Sequence, residues 1–186
     1  MVMASLTYKI AETENEFEQI FRLNYKTFVE EIPQHERNSE KRLVDKFHAE
    51  NTYLICMEGN RLLGMLAMRD TRPFSLDLKL ENLDSYLPEH TSICEIRLLA
   101  VEPDKRSTRI FGGLILQLAG YCDERHYDLA IMSGTTRQAK LYRHLGFVPF
   151  GPLVGNGDTL FQPMYLTLDS YRKLKATARI FMKDKG

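Results

Sequence analysis

The sequence predicts an α/β (α+β) fold, a mixed and mostly antiparallel sheet carrying one βαβ crossover, with helices on both faces. Two observations lead there. The apolar runs Thr52 to Met57 and Leu62 to Met68 flank Glu58-Gly59-Asn60-Arg61, a turn signal, and read as an antiparallel hairpin. Farther on, an apolar strand ending at Val101, a long apolar helix and the short run Leu129 to Met132 follow one another. Strand, helix, strand at that spacing makes a crossover between parallel neighbours. A doubly wound dinucleotide fold needs several such units and a glycine fingerprint, and the chain has neither.

The elements follow in order. Leu6 to Ile10 alternates and opens the sheet. Thr13-Glu14-Asn15-Glu16 is a capping box, in which Thr13 takes an orphan N–H and Glu16 reaches back. Phe17, Phe21, Tyr25, Phe28 and Ile32 then form one helix face that stops near Pro33. The polar stretch Gln34 to Lys46 can hold a short second helix. After the hairpin, Arg72 to His90 is a long connection with a short helix expected around Leu83. Ser92 to Val101 is the third clear strand, closed by Pro103. Ser107 or Thr108 caps the next helix, whose stripe is Ile110, Leu114, Leu118 and Cys122, with Arg125 and His126 suiting its negative end. Arg137 to Leu145 is a short helix stopped by Gly146. Phe147 to Phe150 and Leu160 to Leu168 pair across a Gly-Asn-Gly loop, and Asp169 caps a basic helix, Tyr171 to Lys183.

Length and composition bound the function. At 186 residues the chain has room for one domain, 1–186, with 169–186 as a terminal helix that can dock or link. Lysine plus arginine equals aspartate plus glutamate at 25 each, so nothing favours a nucleic-acid partner. The N-terminus lacks a signal-peptide pattern, and the longest apolar stretch, Ile110 to Cys122, is too short to span a bilayer. Cys56, Cys94 and Cys122 are odd in number and widely spaced, so neither zinc nor a disulfide framework is indicated. The expectation is a cytoplasmic protein. The five histidines are isolated, and no Gly-x-Ser-x-Gly elbow is present.

Three segments together resemble the GNAT N-acyltransferase superfamily. They are Leu99-Ala100-Val101-Glu102-Pro103-Asp104-Lys105-Arg106, the helix that follows, and Ala139-Lys140-Leu141-Tyr142-Arg143-His144-Leu145-Gly146-Phe147. The resemblance implies two splayed parallel strands, Ile93 to Val101 and Leu129 to Met132, that receive pantetheine amides between them. It also implies a helix N-terminus seating the pyrophosphate, a position that suits anions physically. The donor would be acetyl-CoA, another acyl-CoA or an acyl-phosphopantetheine carrier. Leu99, Ala100, Val101, Arg106, Ser107, Thr108, Arg109, Ile110, Phe111 and Thr136 are the implied donor-binding positions. One departure stands out: Arg109 and Phe111 occupy places where the family has small residues, and Gly112 and Gly113 fit only if the loop shifts by three. A second resemblance is to the autoinducer-synthase and N-acyl amino acid synthase branch. Arg22, Tyr25, Phe28-Val29-Glu30-Glu31, Asp45, Tyr53-Leu54 and Glu95-Ile96-Arg97-Leu98 carry it. That branch commonly takes long chains from acyl carrier protein.

The implied reaction is direct attack of an amine on a thioester, the acceptor being a small molecule or a protein amine. Tyr142 is the candidate to protonate or hold the departing thiolate, since a phenol's ordinary pKa near 10 lies close to a thiol's near 8.5; a core aromatic is the other reading. Glu95 is the candidate base, with a structural ion pair to Arg97 as the alternative. Alternation puts Glu95, Arg97 and Leu99 on one strand face, with Ile96, Leu98 and Ala100 on the other. The family's oxyanion donor is a backbone N–H near Leu99. Arg137, Lys140 and Arg143 add positive charge near the donor's mouth or form a solvated face. Acetyl transfer from acyl-CoA to a primary amine is the leading expectation, with long-chain synthesis from a carrier protein as the alternative. A thioester-sensing module without catalysis is a further alternative, and a homodimer is possible.

Overall fold

The computed structural model describes residues 5–106, 108–157 and 159–183. One mixed sheet organises them. Its strands are β1 (Leu6–Ile10), β2 (Thr52–Glu58), β3 (Arg61–Arg69), β4 (Ile93–Val101), β5 (Leu129–Thr135), β6 (Val148–Pro149), β7 (Val154–Asn156) and β8 (Thr159–Thr167). The spatial order is β1-β2-β3-β4-β5-β8-β6, with β7 hairpinned onto β8. Every neighbouring pair is antiparallel except β4 and β5. These two are joined by helix α2 (Thr108–Arg125), the expected crossover.

Two cores sandwich the sheet's first half. Helix α1 (Glu14–Tyr25) starts on the predicted capping box: Thr13 accepts from the Glu16 N–H, and Glu16 accepts from the Glu12 and Thr13 N–H groups at 2.9 and 3.1 Å. It buries Ile20, Phe21 and Leu23 against Tyr53, Ile55 and Met65 of the hairpin. On the opposite face α2 sets Ile110, Leu114, Ile115 and Leu118 against Leu54, Leu66 and Ile96. Helix α3 (Ala139–His144) and helix α4 (Leu168–Lys183) complete that side, α4 anchored by Tyr171 in the same core. A third cluster, built from Phe74, Leu76, Leu80, Leu83 and Phe150, roofs β5 and β8 through Ile131, Phe161 and Tyr165. Among the described residues, no helix is long and apolar enough to cross a membrane.

Several local expectations change. The apolar face of α1 does continue to Ile32, but from Lys26 to Glu31 the helix widens to π geometry, with the Ile32 N–H bonding the Thr27 carbonyl at 2.8 Å. Gln34 to Lys46 holds no helix; its backbone is instead tied to α1, as where Leu43 N–H meets the Phe21 carbonyl. The Gly-Asn-Gly turn closes a β7–β8 hairpin that the sequence pattern did not reveal, with Gly155 and Gly157 at positive φ. Helix α4 starts at Leu168, straight out of β8, so Asp169 sits inside its first turn and Thr167 accepts from the Ser170 N–H at the cap position. The short helix around Leu83 is present as a 3-10 turn, Leu83–Tyr86.

Candidate active site

The parallel pairing of β4 and β5 runs from Ile93–Leu129 to Ile96–Met132 and stops there, although β4 continues to Val101 and β5 to Thr135. The strands part beyond that point. A bulge in β4 helps to turn it away: Leu98 adopts φ 54°, and the β3–β4 register slips between Met65 and Ala67. An extra residue of this kind bends a strand and shifts its side-chain alternation. Before the bulge Cys94 and Ile96 face α2; after it Leu99 packs toward α2, while Leu98 and Ala100 pack on the α1 side. The expected grouping of Leu99 with Glu95 and Arg97 is therefore corrected by one bulge residue.

A cavity of about 520 Å³ fills the parting. Its inner wall is apolar, made by Leu66, Ile96, Ile115, Leu118, Met132 and Phe147. Its α1-side wall is more polar and includes Thr27, Gln34, Ser75, Lys79 and Arg97. The π turn supplies Thr27, Phe28 and Glu31 to it; departures from α geometry of this sort recur at functional sites.

Tyr142 enters from α3. Its hydroxyl donates to Gln138 Oε1 at 2.7 Å, and its ring crosses β5 at Gly134, where a Cβ would lie 2.7 Å from the ring. That close approach explains the glycine. Burial pushes the phenol up to about 12, so it is a weaker acid than its ordinary value implies. Leu99, Ala100, Val101, Arg106 and Phe111 also line the cavity. Arg106 is paired with Glu31 across the mouth and touches the Val101 carbonyl at 3.4 Å.

Other expected members are placed elsewhere. Glu95 is fully buried outside the cavity, and its carboxylate accepts from Ser75 N–H at 2.9 Å, Ser75 Oγ at 2.5 Å and Leu76 N–H at 3.3 Å. It anchors the 73–77 segment. Arg97 lies 3.7 Å from it but gives its two-pronged bond to Asp45, at 2.7 and 3.0 Å. Arg109 is exposed, with its carbonyl accepting from the Tyr8 hydroxyl, and Ile110 belongs to the core under α2. Thr136 is exposed; Ser133, Thr135 and Gln138 are the neighbours that reach the cavity. Gly113 is not part of a shifted phosphate loop: it lies within α2 against Tyr8, whose ring is 2.0 Å from where its Cβ would be. Thr108 begins α2, and Ser107 lies outside the described residues. Ser75, Lys79 and Phe161 were missed because loops and a late strand carry no periodic signal for a site.

A family model described as N-acyl amino acid synthase FeeM matches residues 19–169. The chain belongs to this family. It is an acyltransferase of the FeeM type. Among solved structures, that of BjaI, a CoA-dependent acyl-homoserine lactone synthase with SAM and isopentyl-CoA, has a TM-score of 0.77 at 20% identity, covering 94% of this chain and 90% of its own. FeeM itself, from uncultured soil microbes, gives 0.68 at 17% identity over 95% and 98% of the two chains. An acyl-CoA N-acyltransferase from Pseudomonas aeruginosa gives 0.59 at 16% identity over 87% and 99%. At such identities the likeness is one of fold, and it covers the GNAT-like architecture read from the sequence. A comparison with curated proteins finds no match.

Proposed function

We propose that the chain transfers a medium or long acyl group from a phosphopantetheine thioester, on coenzyme A or a carrier protein, to the amine of an amino acid or a similar small acceptor in the cytoplasm. The carrying observation is the cavity between the parted strands, whose inner wall beneath the sheet is apolar well beyond the needs of a two-carbon group. Its volume lies in the usual range for small-molecule sites. Pantetheine amides would pair with the free edges of Leu99 to Val101 and Ser133 to Thr135, and Arg106 would meet the phosphates after leaving Glu31.

The acceptor nitrogen attacks the thioester carbonyl carbon, forming C–N while the carbonyl electrons move to oxygen. The bulge at Leu98 and Leu99 offers a backbone N–H to that oxyanion. Collapse breaks C–S, the nitrogen gives up a proton, and the thiolate takes one. With a phenol near 12 against a thiol near 8.5, full transfer from Tyr142 to sulfur would be uphill by roughly 5 kcal/mol. Tyr142 is therefore assigned to donate a hydrogen bond to the developing thiolate, which leaves with a proton from solvent or the acceptor. Glu95, with both oxygens occupied by the 75–76 segment, holds the wall beside this chemistry.

Thiol release from acetyl-, octanoyl- and dodecanoyl-thioesters, on coenzyme A and on acyl carrier protein, tests this against a panel of amino acids. Octanoyl or dodecanoyl donors should exceed acetyl by at least about tenfold in kcat/KM, since each buried methylene adds up to about 0.8 kcal/mol. A preference for acetyl-CoA, or no thiol release with any pair, would overturn the reading.

A further inference from the structure

Lys79 is the feature that the reaction above leaves unused. Its turn is fixed, because Ser75 and Leu76 are bonded to buried Glu95 and Asp77 accepts from the Phe74 N–H at 2.7 Å. The lysine N–H then closes the turn on the Leu76 carbonyl. From there the side chain lines the cavity, with its ammonium 5.7 Å from the centre of the Phe161 ring. Among the described residues no carboxylate forms an ion pair with it.

The neighbouring charges explain what this ammonium can attract. Asp45 is matched by Arg97 and Glu95 by its bonds to the 75–76 segment, so neither carboxylate is available to Lys79. Lys79 is exposed at the cavity's rim, but the protein packed around its ammonium still pushes its pKa down; Glu95 opposes that shift, and the positive charges of Arg97 and Lys46 add to it. An anion arriving through the cavity would relieve the repulsion. The same wall holds the Thr27 hydroxyl, buried and without a partner. Buried polar groups normally have partners, and Thr27 is one of the residues that line the cavity. A polar, anionic ligand fits this wall, whereas the apolar inner wall suits an acyl chain.

Resting on the acyl-transfer reading, we propose that Lys79 binds the carboxylate of the acceptor, so that the enzyme selects amines bearing a free carboxylate over their neutral amides. An anion with its charge matched by one ammonium and a polar wall gains charge-assisted bonds that a carboxamide cannot reproduce.

The test compares the full chain with Lys79→Met and Lys79→Arg. Calorimetry would measure N-dodecanoyl-leucine and N-dodecanoyl-phenylalanine against their carboxamides, and free coenzyme A in parallel. The parent and Lys79→Arg should bind the acids at least about tenfold more tightly than the amides. Lys79→Met should bind both alike, with coenzyme A affinity unchanged. Equal binding of acid and amide by the parent, binding of neither, or an equal loss of coenzyme A affinity in Lys79→Met would overturn the assignment; the last would give the lysine to the donor's phosphates. Thiol-release assays with leucine and leucinamide separate the two readings. Transfer without an acid preference sinks the role of Lys79 alone, whereas no transfer to any acceptor sinks the acyl-transfer reading.

Discussion

Two side chains at the cavity make sharp residue-scale predictions. Replacing Tyr142 by Phe removes the bond to Gln138 and the hydroxyl assigned to the leaving sulfur. Turnover should fall about a hundredfold with donor binding kept, while stability drops by only ~1 kcal/mol, the usual worth of one hydrogen bond. Steady-state kinetics and urea unfolding on the same preparations check both, and an unchanged kcat would return Tyr142 to plain packing. Glu31 is expected to act in the opposite direction. Glu31→Gln releases Arg106 from its ion pair, so coenzyme A should bind several-fold more tightly and with a steeper salt dependence. Weaker binding in that variant would mean that Glu31 orients Arg106 rather than competing for it. Tyr142 was legible because its flanking residues carry a family pattern. Glu95 was not, because a glutamate on a strand looks the same whether it faces a substrate or the amides of a distant loop.

At the scale of elements, the same glutamate becomes a structural joint. Three donors from Ser75 and Leu76 converge on its buried carboxylate, so Glu95→Gln, which sets an NH2 among donors, should cost about 3 kcal/mol in urea unfolding. A loss below ~1 kcal/mol would show that the 73–77 segment has other support. The α1 capping box gives a pH prediction. Burial alone would raise the Glu16 pKa, but the Glu12 and Thr13 N–H groups and the Lys9 ammonium at 2.8 Å outweigh it and bring it to about 2. The folded value lies below the unfolded one near 4.3, so this stabilisation is complete above that range and fades as pH falls toward 2. Urea midpoints between pH 6 and pH 3 should show the decline, with a shallower slope in Glu16→Gln. The box was readable because its chemistry is local. The π turn and the β4 bulge were not: an apolar face from Phe17 to Ile32 is compatible with α or π winding, and alternation from Ile93 to Val101 has no mark for the extra residue. Both are fixed by packing against distant strands.

At the scale of the molecule, the hairpin, the crossover and the helices on both faces were legible because hydrophobic period and turn residues specify them. The pairing of β6 with β8 was also legible, from the two apolar runs either side of the Gly-Asn-Gly loop, whereas the place of β8 beside β5 depends on long-range pairing that no local pattern encodes. The two halves of the sheet meet through only four register pairs, Ile93–Leu129 to Ile96–Met132. Beyond them the backbone of β4 and β5 is left facing an opening instead of a neighbour. In effect the protein keeps a frayed seam inside its own sheet, and the donor's amide-bearing arm would serve as the missing rung. Those amides of Leu99 to Val101 and Ser133 to Thr135 that face the opening should exchange with deuterium faster than those of the Ile93–Ile96 zipper, and slow selectively when a thioester binds. Uniform slowing across the molecule would instead mean that the ligand stiffens the whole fold without stitching the seam.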